Sequence, residues 1–181
     1  NLTNLTFNTA GVFKVKVRIS TSCCGWSPYD SVYVLVEPNP ELSFAGKLAL
    51  CPGDSVTITA SGSSSYTWTP ATGLSSSNTA TVVAQPGATT SYLVTGYSIN
   101  GYCTIDSVIT VSVINPPTVT FVTAPATCGG NGSITANPNP TGTYGYSWSD
   151  ALNQQTQTAT NLTPGSYSVT VVDQNSSCSV T

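Results

Sequence analysis

Apolar and hydroxyl-bearing residues alternate with a period of two along much of this chain, as in Val32-Tyr33-Val34-Leu35-Val36, Val108-Ile109-Thr110-Val111-Ser112-Val113 and Tyr167-Ser168-Val169-Thr170-Val171. A period of two puts successive side chains on opposite faces of an extended backbone, so these stretches predict β-strands with one covered face. Runs of Gly, Pro, Asn and Ser separate them and act as turns, and helix signals are nearly absent. The pattern predicts an all-β, antiparallel protein.

The strands recur. A small-residue turn followed by an aromatic strand appears as Ala10-Gly11-Val12-Phe13-Lys14-Val15, as Thr89-Thr90-Ser91-Tyr92-Leu93-Val94 and as Pro164-Gly165-Ser166-Tyr167-Ser168-Val169. The aromatic is followed by a cysteine eleven residues on each time: Phe13 to Cys24, Tyr92 to Cys103, Tyr167 to Cys178. Upstream, Cys51-Pro52-Gly53-Asp54-Ser55-Val56-Thr57 answers Cys128-Gly129-Gly130-Asn131-Gly132-Ser133-Ile134-Thr135, and Tyr66-Thr67-Trp68 answers Tyr144-Gly145-Tyr146-Ser147-Trp148. Spacings of 79 residues from Cys24 to Cys103 and 75 from Cys103 to Cys178 suit small sandwiches of about seven short strands.

This reading divides the chain into 1–37, the tail of one unit, then 38–115, a full unit, and 116–181, most of another. The joins fall at Glu37-Pro38-Asn39-Pro40 and Asn115-Pro116-Pro117, where proline stiffens the link. The expected architecture is a semi-rigid string of immunoglobulin-like β-sandwiches. With no Met and no leader pattern at Asn1, the sequence reads as beginning within a longer protein.

Composition narrows the function. Charged residues are 6% of the chain, the net charge is −3, and Ser and Thr coat the surface in their place. Four basic residues cannot neutralise a run of phosphates, so nucleic acid is not an expected partner. Three of them, Lys14, Lys16 and Arg18, alternate on one strand, either as a solvated face that discourages edge pairing or as a patch for an anionic ligand. No apolar run reaches the roughly 20 residues of a membrane-spanning helix, so no membrane insertion is expected of this segment.

Without histidine and with its seven acids scattered, the sequence offers no acid, base or nucleophile constellation. Gly129-Gly130-Asn131-Gly132 lacks the Lys-Ser/Thr of a phosphate cradle and reads as a turn. We therefore expect no catalytic residues, no metal site and no cofactor.

Six cysteines at spacings unlike those of zinc sites point to disulfides and an oxidising, extracellular compartment. Matched repeat positions and separations of 52 and 50 residues suggest Cys51–Cys103 and Cys128–Cys178 bridges. Cys24 takes the closing position of the first unit, with a partner expected upstream. Cys23 is left for a vicinal bridge to Cys24 or for another upstream partner.

Trp68 and Trp148 stand where a sandwich buries a Trp against its inter-sheet disulfide, with the Tyr66/Trp68 and Tyr144/Tyr146/Trp148 stripes as alternative platforms for sugar rings. Trp26, in a turn-rich stretch, either packs on its loop or contacts a neighbour. Three acids precede Ser-Val, at Asp30-Ser31-Val32, Asp54-Ser55-Val56 and Asp106-Ser107-Val108, which reads as turn chemistry with a strand starting at each.

Residues 128–178, with Cys128-Gly-Gly-Asn-Gly-Ser-Ile-Thr, Tyr146-Ser-Trp148-Ser, Asn161-Leu-Thr-Pro-Gly-Ser-Tyr-Ser-Val-Thr-Val-Val-Asp173 and Cys178, resemble the SprB repeat of Bacteroidota gliding-motility adhesins. The middle unit is similar to the immunoglobulin-like repeats of the same giant proteins, and Leu5–Val17 is similar to the end of a polycystic-kidney-disease (PKD) domain. The resemblance implies a large surface protein exported by type IX secretion for adhesion, gliding or filament building.

It also implies O-glycosylation at Asp-Ser/Thr-apolar sites, making Ser31, Ser55 and Ser107 candidate acceptors. The sequons at Asn1, Asn4, Asn131, Asn161 and Asn175 would be idle in such a host and used in a eukaryotic one. Expected partners are neighbouring repeats, further copies in a fibre, or surface polysaccharide. The alternative is a stalk or carbohydrate-binding accessory region of a secreted degradative enzyme.

Overall fold

The computed structural model describes residues 4–126 and 130–181. Among them are seventeen strands and no helix. The protein is all-β, as the two-residue period requires.

Two hydrophobic cores form, and each lies between two sheets. The first is built from β5 (Ser43–Ala45), β7 (Val56–Ser61) and β9 (Thr81–Ala84) facing β6 (Ala49–Leu50), β11 (Thr104–Val113), β10 (Thr90–Tyr97) and β8 (Ser65–Thr69). Alternate residues point inward: Ile58, Val82, Trp68, Tyr92, Val94 and Val111 are all but inaccessible to solvent. Each such side chain stabilises by about 2 kcal/mol relative to an exposed one. Trp68 meets Phe44 edge-on at 6.2 Å between ring centroids. The pairing is antiparallel with one exception: β6 runs parallel to the end of β11, with Leu50 beside Val113.

The second core lies between β12 (Thr118–Ala124), β13 (Gly132–Asn139) and β15 (Thr158–Leu162) on one side and β14 (Tyr144–Trp148), β16 (Val169–Asp173) and β17 (Ser179–Val180) on the other. Ala136 and Ala159 face Trp148, Val169 and Val171, small residues making room for the indole.

Matched hydrogen bonds fix the two cores in the same way. Trp68 Nε1 donates to the Thr79 carbonyl at 2.9 Å and Trp148 Nε1 to the Thr156 carbonyl at 2.8 Å. The Tyr92 hydroxyl donates to the Thr72 carbonyl at 3.0 Å and the Tyr167 hydroxyl to the Thr163 carbonyl at 2.8 Å. Each ring thereby packs its apolar body into or against a core and satisfies its polar tip. Neither core contains a cysteine, so the tryptophans do not pack on an inter-sheet disulfide.

Ahead of both cores, β1 (Gly11–Val17) and β4 (Asp30–Val36) form an antiparallel hairpin, extended by β2 (Ser20–Thr21) and β3 (Gly25–Trp26). Phe13 opposite Val34 and Val15 opposite Val32 make an apolar face; Lys14 opposite Tyr33 and Lys16 opposite Ser31 make the other. Among the described residues β4 pairs with β1 alone.

Candidate functional site

The cysteines show where the cores are joined. A disulfide links Cys51 to Cys178, with 5.5 Å between Cα atoms and a sequence separation of 127. It corrects the expected Cys51–Cys103 and Cys128–Cys178 pairs. Cys51 follows Leu50, and the Ile114 N–H donates to the Leu50 carbonyl at 2.9 Å, which fixes Cys51 at the C-terminal end of β11. Cys103 precedes the other end of that strand, ten residues away. At about 3.4 Å per residue the two are on the order of 30 Å apart, where a bridge spans no more than about 7 Å between Cα atoms. Cys178 has no sulfur left for Cys128, which itself lies outside the described residues.

The bridge sits at the junction of the two cores. Cys178 is buried, and its Sγ lies 3.2 Å from the carbonyl oxygen of Ile114, the first residue past β11. The hairpin that carries it is shaped by Asp173, whose Oδ1 accepts the Asn175 N–H at 2.9 Å and whose Oδ2 accepts the Ser176 hydroxyl at 2.7 Å. These donors hold the Asp173 carboxyl below its ordinary value. A cleft of about 460 Å³ beside the bridge is lined by Lys47, Asp54, Ser55, Ser176 and Ser177.

The hairpin between β10 and β11 has the same build. The Ser98 N–H donates to the Cys103 carbonyl at 2.9 Å, and the Asp173 N–H to the Cys178 carbonyl at 2.9 Å. Cys103 is half-buried and unbonded, and Glu37, the first residue past β4, accepts hydrogen bonds from the Ser98 hydroxyl and the Asn100 side-chain amide.

Cys23 and Cys24 are exposed and unbonded, their sulfurs 3.3 Å apart. The Cys24 thiol, and after it the Thr21 hydroxyl, pull the Cys23 thiol below its ordinary value. No vicinal bridge is formed here.

A second cluster lies on the polar face of the first hairpin. The Arg18 guanidinium sits 4.2 Å from the Trp26 ring centroid and 4.9 Å from that of Tyr29, while Lys16 lies over Tyr29 at 5.9 Å and Lys14 over Tyr33 at 5.4 Å. Trp26 is 60% exposed. Each of the three cations thus rests on an aromatic face, with interaction energies of about 0.5–1 kcal/mol at exposed sites. Alternation of the three cations was visible in the sequence, but the strand register that sets Tyr33 opposite Lys14 was not.

The candidate acceptors differ in their placement. Ser31 and Ser55 are exposed and stand at or just before the starts of β4 and β7, as expected. Ser107 does not fit that pattern: it is the fourth residue of β11, half-buried on the face that also carries Ile109 and Val111. Its neighbour Asp106 instead accepts the Thr95 hydroxyl across the ladder at 2.6 Å. Asn4, Asn131, Asn161 and Asn175 are exposed, and Asn1 lies outside the described residues.

Among the described residues there is no group of three or more His, Cys, Asp or Glu side chains able to hold a metal, and no helix long and apolar enough to cross a membrane. No protein-family model matches the chain, and none of the curated proteins matches it.

Proposed function

We propose that this chain is a non-catalytic structural and adhesive segment of a large extracellular protein, in which successive sandwiches hold a distant part of the molecule away from the cell or stack into a filament. The observation that carries this reading is the Cys51–Cys178 bridge between two separate cores. A covalent tie across a joint restricts bending where a bridge inside one sandwich would not. Disulfide formation and the absence of a membrane-spanning helix among the described residues fit a secreted location. The resemblance to SprB-type, immunoglobulin-like and PKD-like repeats supports a surface adhesin of the gliding-motility kind, with glycan on Ser31 and Ser55.

Export is tested by labelling intact source cells with antibodies to residues 38–181 and shaving them with protease; labelling that appears only after lysis overturns it. Adhesion is tested by deleting the coding region, which should abolish attachment to surfaces and leave growth unchanged. Attachment at the parental level refutes the adhesive role.

The Arg18, Trp26 and Tyr29 stack favours a second reading, a carbohydrate-binding accessory region of a secreted degradative enzyme. An exposed indole beside a guanidinium offers a stacking face and hydrogen-bond donors to an acidic sugar. Retardation in native gels containing polygalacturonate, lost in Trp26→Ala, would favour it; unretarded migration excludes it.

A further inference from the structure

The two cores treat matching tyrosines differently. Tyr66 in β8 and Tyr146 in β14 each stand two residues before the core tryptophan, on the same face of the strand. Tyr66 is 6% exposed, and its hydroxyl is held by the preceding turn, donating to the Ser63 carbonyl at 2.8 Å and accepting the Ser63 N–H at 3.0 Å. Tyr146 is half-buried, and its hydroxyl has no hydrogen-bond partner among the described residues. A cleft of about 330 Å³ opens beside it between the two sheets. Asn137 and Pro138 of β13 form one side and Tyr144 and Tyr146 of β14 the other, with Thr141 of the connecting loop and Gln157, just ahead of β15, beside them.

The walls are fixed by their own contacts. The Tyr144 hydroxyl donates to the Pro140 carbonyl at 2.5 Å, and Gly142 lies so near the ring that a Cβ there would come within 3.3 Å of it. The Gln157 side-chain amide donates to the Ala136 carbonyl at 3.0 Å and to Asn137 Oδ1 at 3.3 Å. Gln157 Oε1 is left as an acceptor and Asn137 Nδ2 as a donor. Burial, and after it the neighbouring Tyr144, hold the Tyr146 phenol above its ordinary value, so it stays a neutral donor. No charged side chain is among the described residues that line the cleft.

We infer that this cleft binds a neutral saccharide, seating a pyranose unit of a polysaccharide against Tyr144 and Tyr146. A pyranose ring offers apolar C–H faces to aromatic rings, and around its edge hydroxyls that both donate and accept; the two amides and the phenol answer them. An anionic sugar or a phosphate meets no cation here, and a wholly apolar ligand strands the amides without partners. The volume falls at the small end of ligand pockets, roughly 300–1,000 Å³, which suits a sugar unit rather than a folded partner. The cleft shares no residue with the stack of Arg18 on Trp26 and Tyr29, whose charge favours acidic sugars. The inference stands on the cleft alone and holds whether or not the chain is adhesive.

The test is amide chemical-shift mapping of the full 181-residue chain, titrated separately with cellohexaose, mannohexaose, xylohexaose and maltohexaose. Saturable shifts confined to residues 137–146 and to Gln157 are expected with at least one of the four. Tyr146→Phe keeps the ring against the core and removes only the hydroxyl. Its spectrum away from the cleft should match the parent's, and it should bind about fivefold more weakly, as the loss of one hydrogen bond predicts. Trp26→Ala should bind as the parent does.

No saturable shift with any of the four sugars, or undiminished affinity in Tyr146→Phe, overturns the inference. So does a titration in which decaproline moves these amides and no sugar does, since the cleft is then a peptide groove. Loss of sugar binding in Trp26→Ala assigns the sugar to the first hairpin and overturns it as well. None of these readouts depends on attachment of cells, so failure of the adhesive role leaves them unchanged.

Discussion

Replacing Cys178 with Ser asks whether the bridge couples the two cores or belongs to one of them. If core two opens while core one stays folded, the bridge ties Cys178 back to the neighbourhood of Ile114; if core one opens alone, it ties Cys51 forward to the start of β12. Either way the closed loop has on the order of 60 residues, which in the chain-entropy relation corresponds to about 4 kcal/mol. Cys178→Ser should therefore weaken both cores, by similar amounts. The serine hydroxyl can donate to the Ile114 carbonyl that lies 3.2 Å from the present sulfur, so no polar group is stranded.

Native-state hydrogen exchange read by mass spectrometry resolves the cores separately, and amides of β10 and of β16 should both exchange roughly a thousandfold faster. Cys51→Ser should reproduce the effect, and the double variant should add nothing further. Loss of protection in core one with Cys51→Ser but not with Cys178→Ser is the signature of a Cys51–Cys103 bridge and would refute the argument.

Three further outcomes follow from single contacts. Tyr92→Phe removes the donor to the Thr72 carbonyl from a hydroxyl whose ring is buried, and should cost about 1 kcal/mol in urea unfolding, with the slope unchanged. Gly46→Ala puts a Cβ 2.4 Å from the Thr57 carbonyl oxygen at a φ of +136°, so it should cost more than about 2 kcal/mol in the same titration. Asp150 is held below its ordinary value of 3.8 by the Gln154 side-chain amide and then by the Gln154 and Leu152 N–H groups, and Asp173 is lowered in the same direction. Depressed carboxyls contribute stability that is whole above the ordinary value and disappears as pH falls through the folded one. Unfolding midpoints should be flat above about pH 5 and drop below about pH 4, less steeply in Asp150→Asn.

Strand identity was readable because alternation acts residue by residue: Tyr92, Val94, Ile109 and Val111 announce an inner face before any partner is known. The eleven-residue interval from aromatic to cysteine likewise placed Cys103 and Cys178 on equivalent hairpins. Separation in sequence could not say which sulfurs meet. That depends on which strand ends come together, and a repeat aligned against itself looks closed within each unit.

The parallel seating of β6 on β11 decided the matter, because it carries Cys51 to the end of the sandwich farthest from Cys103 and nearest to Cys178. The stacking of Arg18 on Trp26 and Tyr29 was hidden for a related reason, since it needs the hairpin to bring residues 18, 26 and 29 onto one face. Local chemistry, written in the order of the residues, set the strands and their faces; contacts between distant strand ends exist only once the sheets have packed.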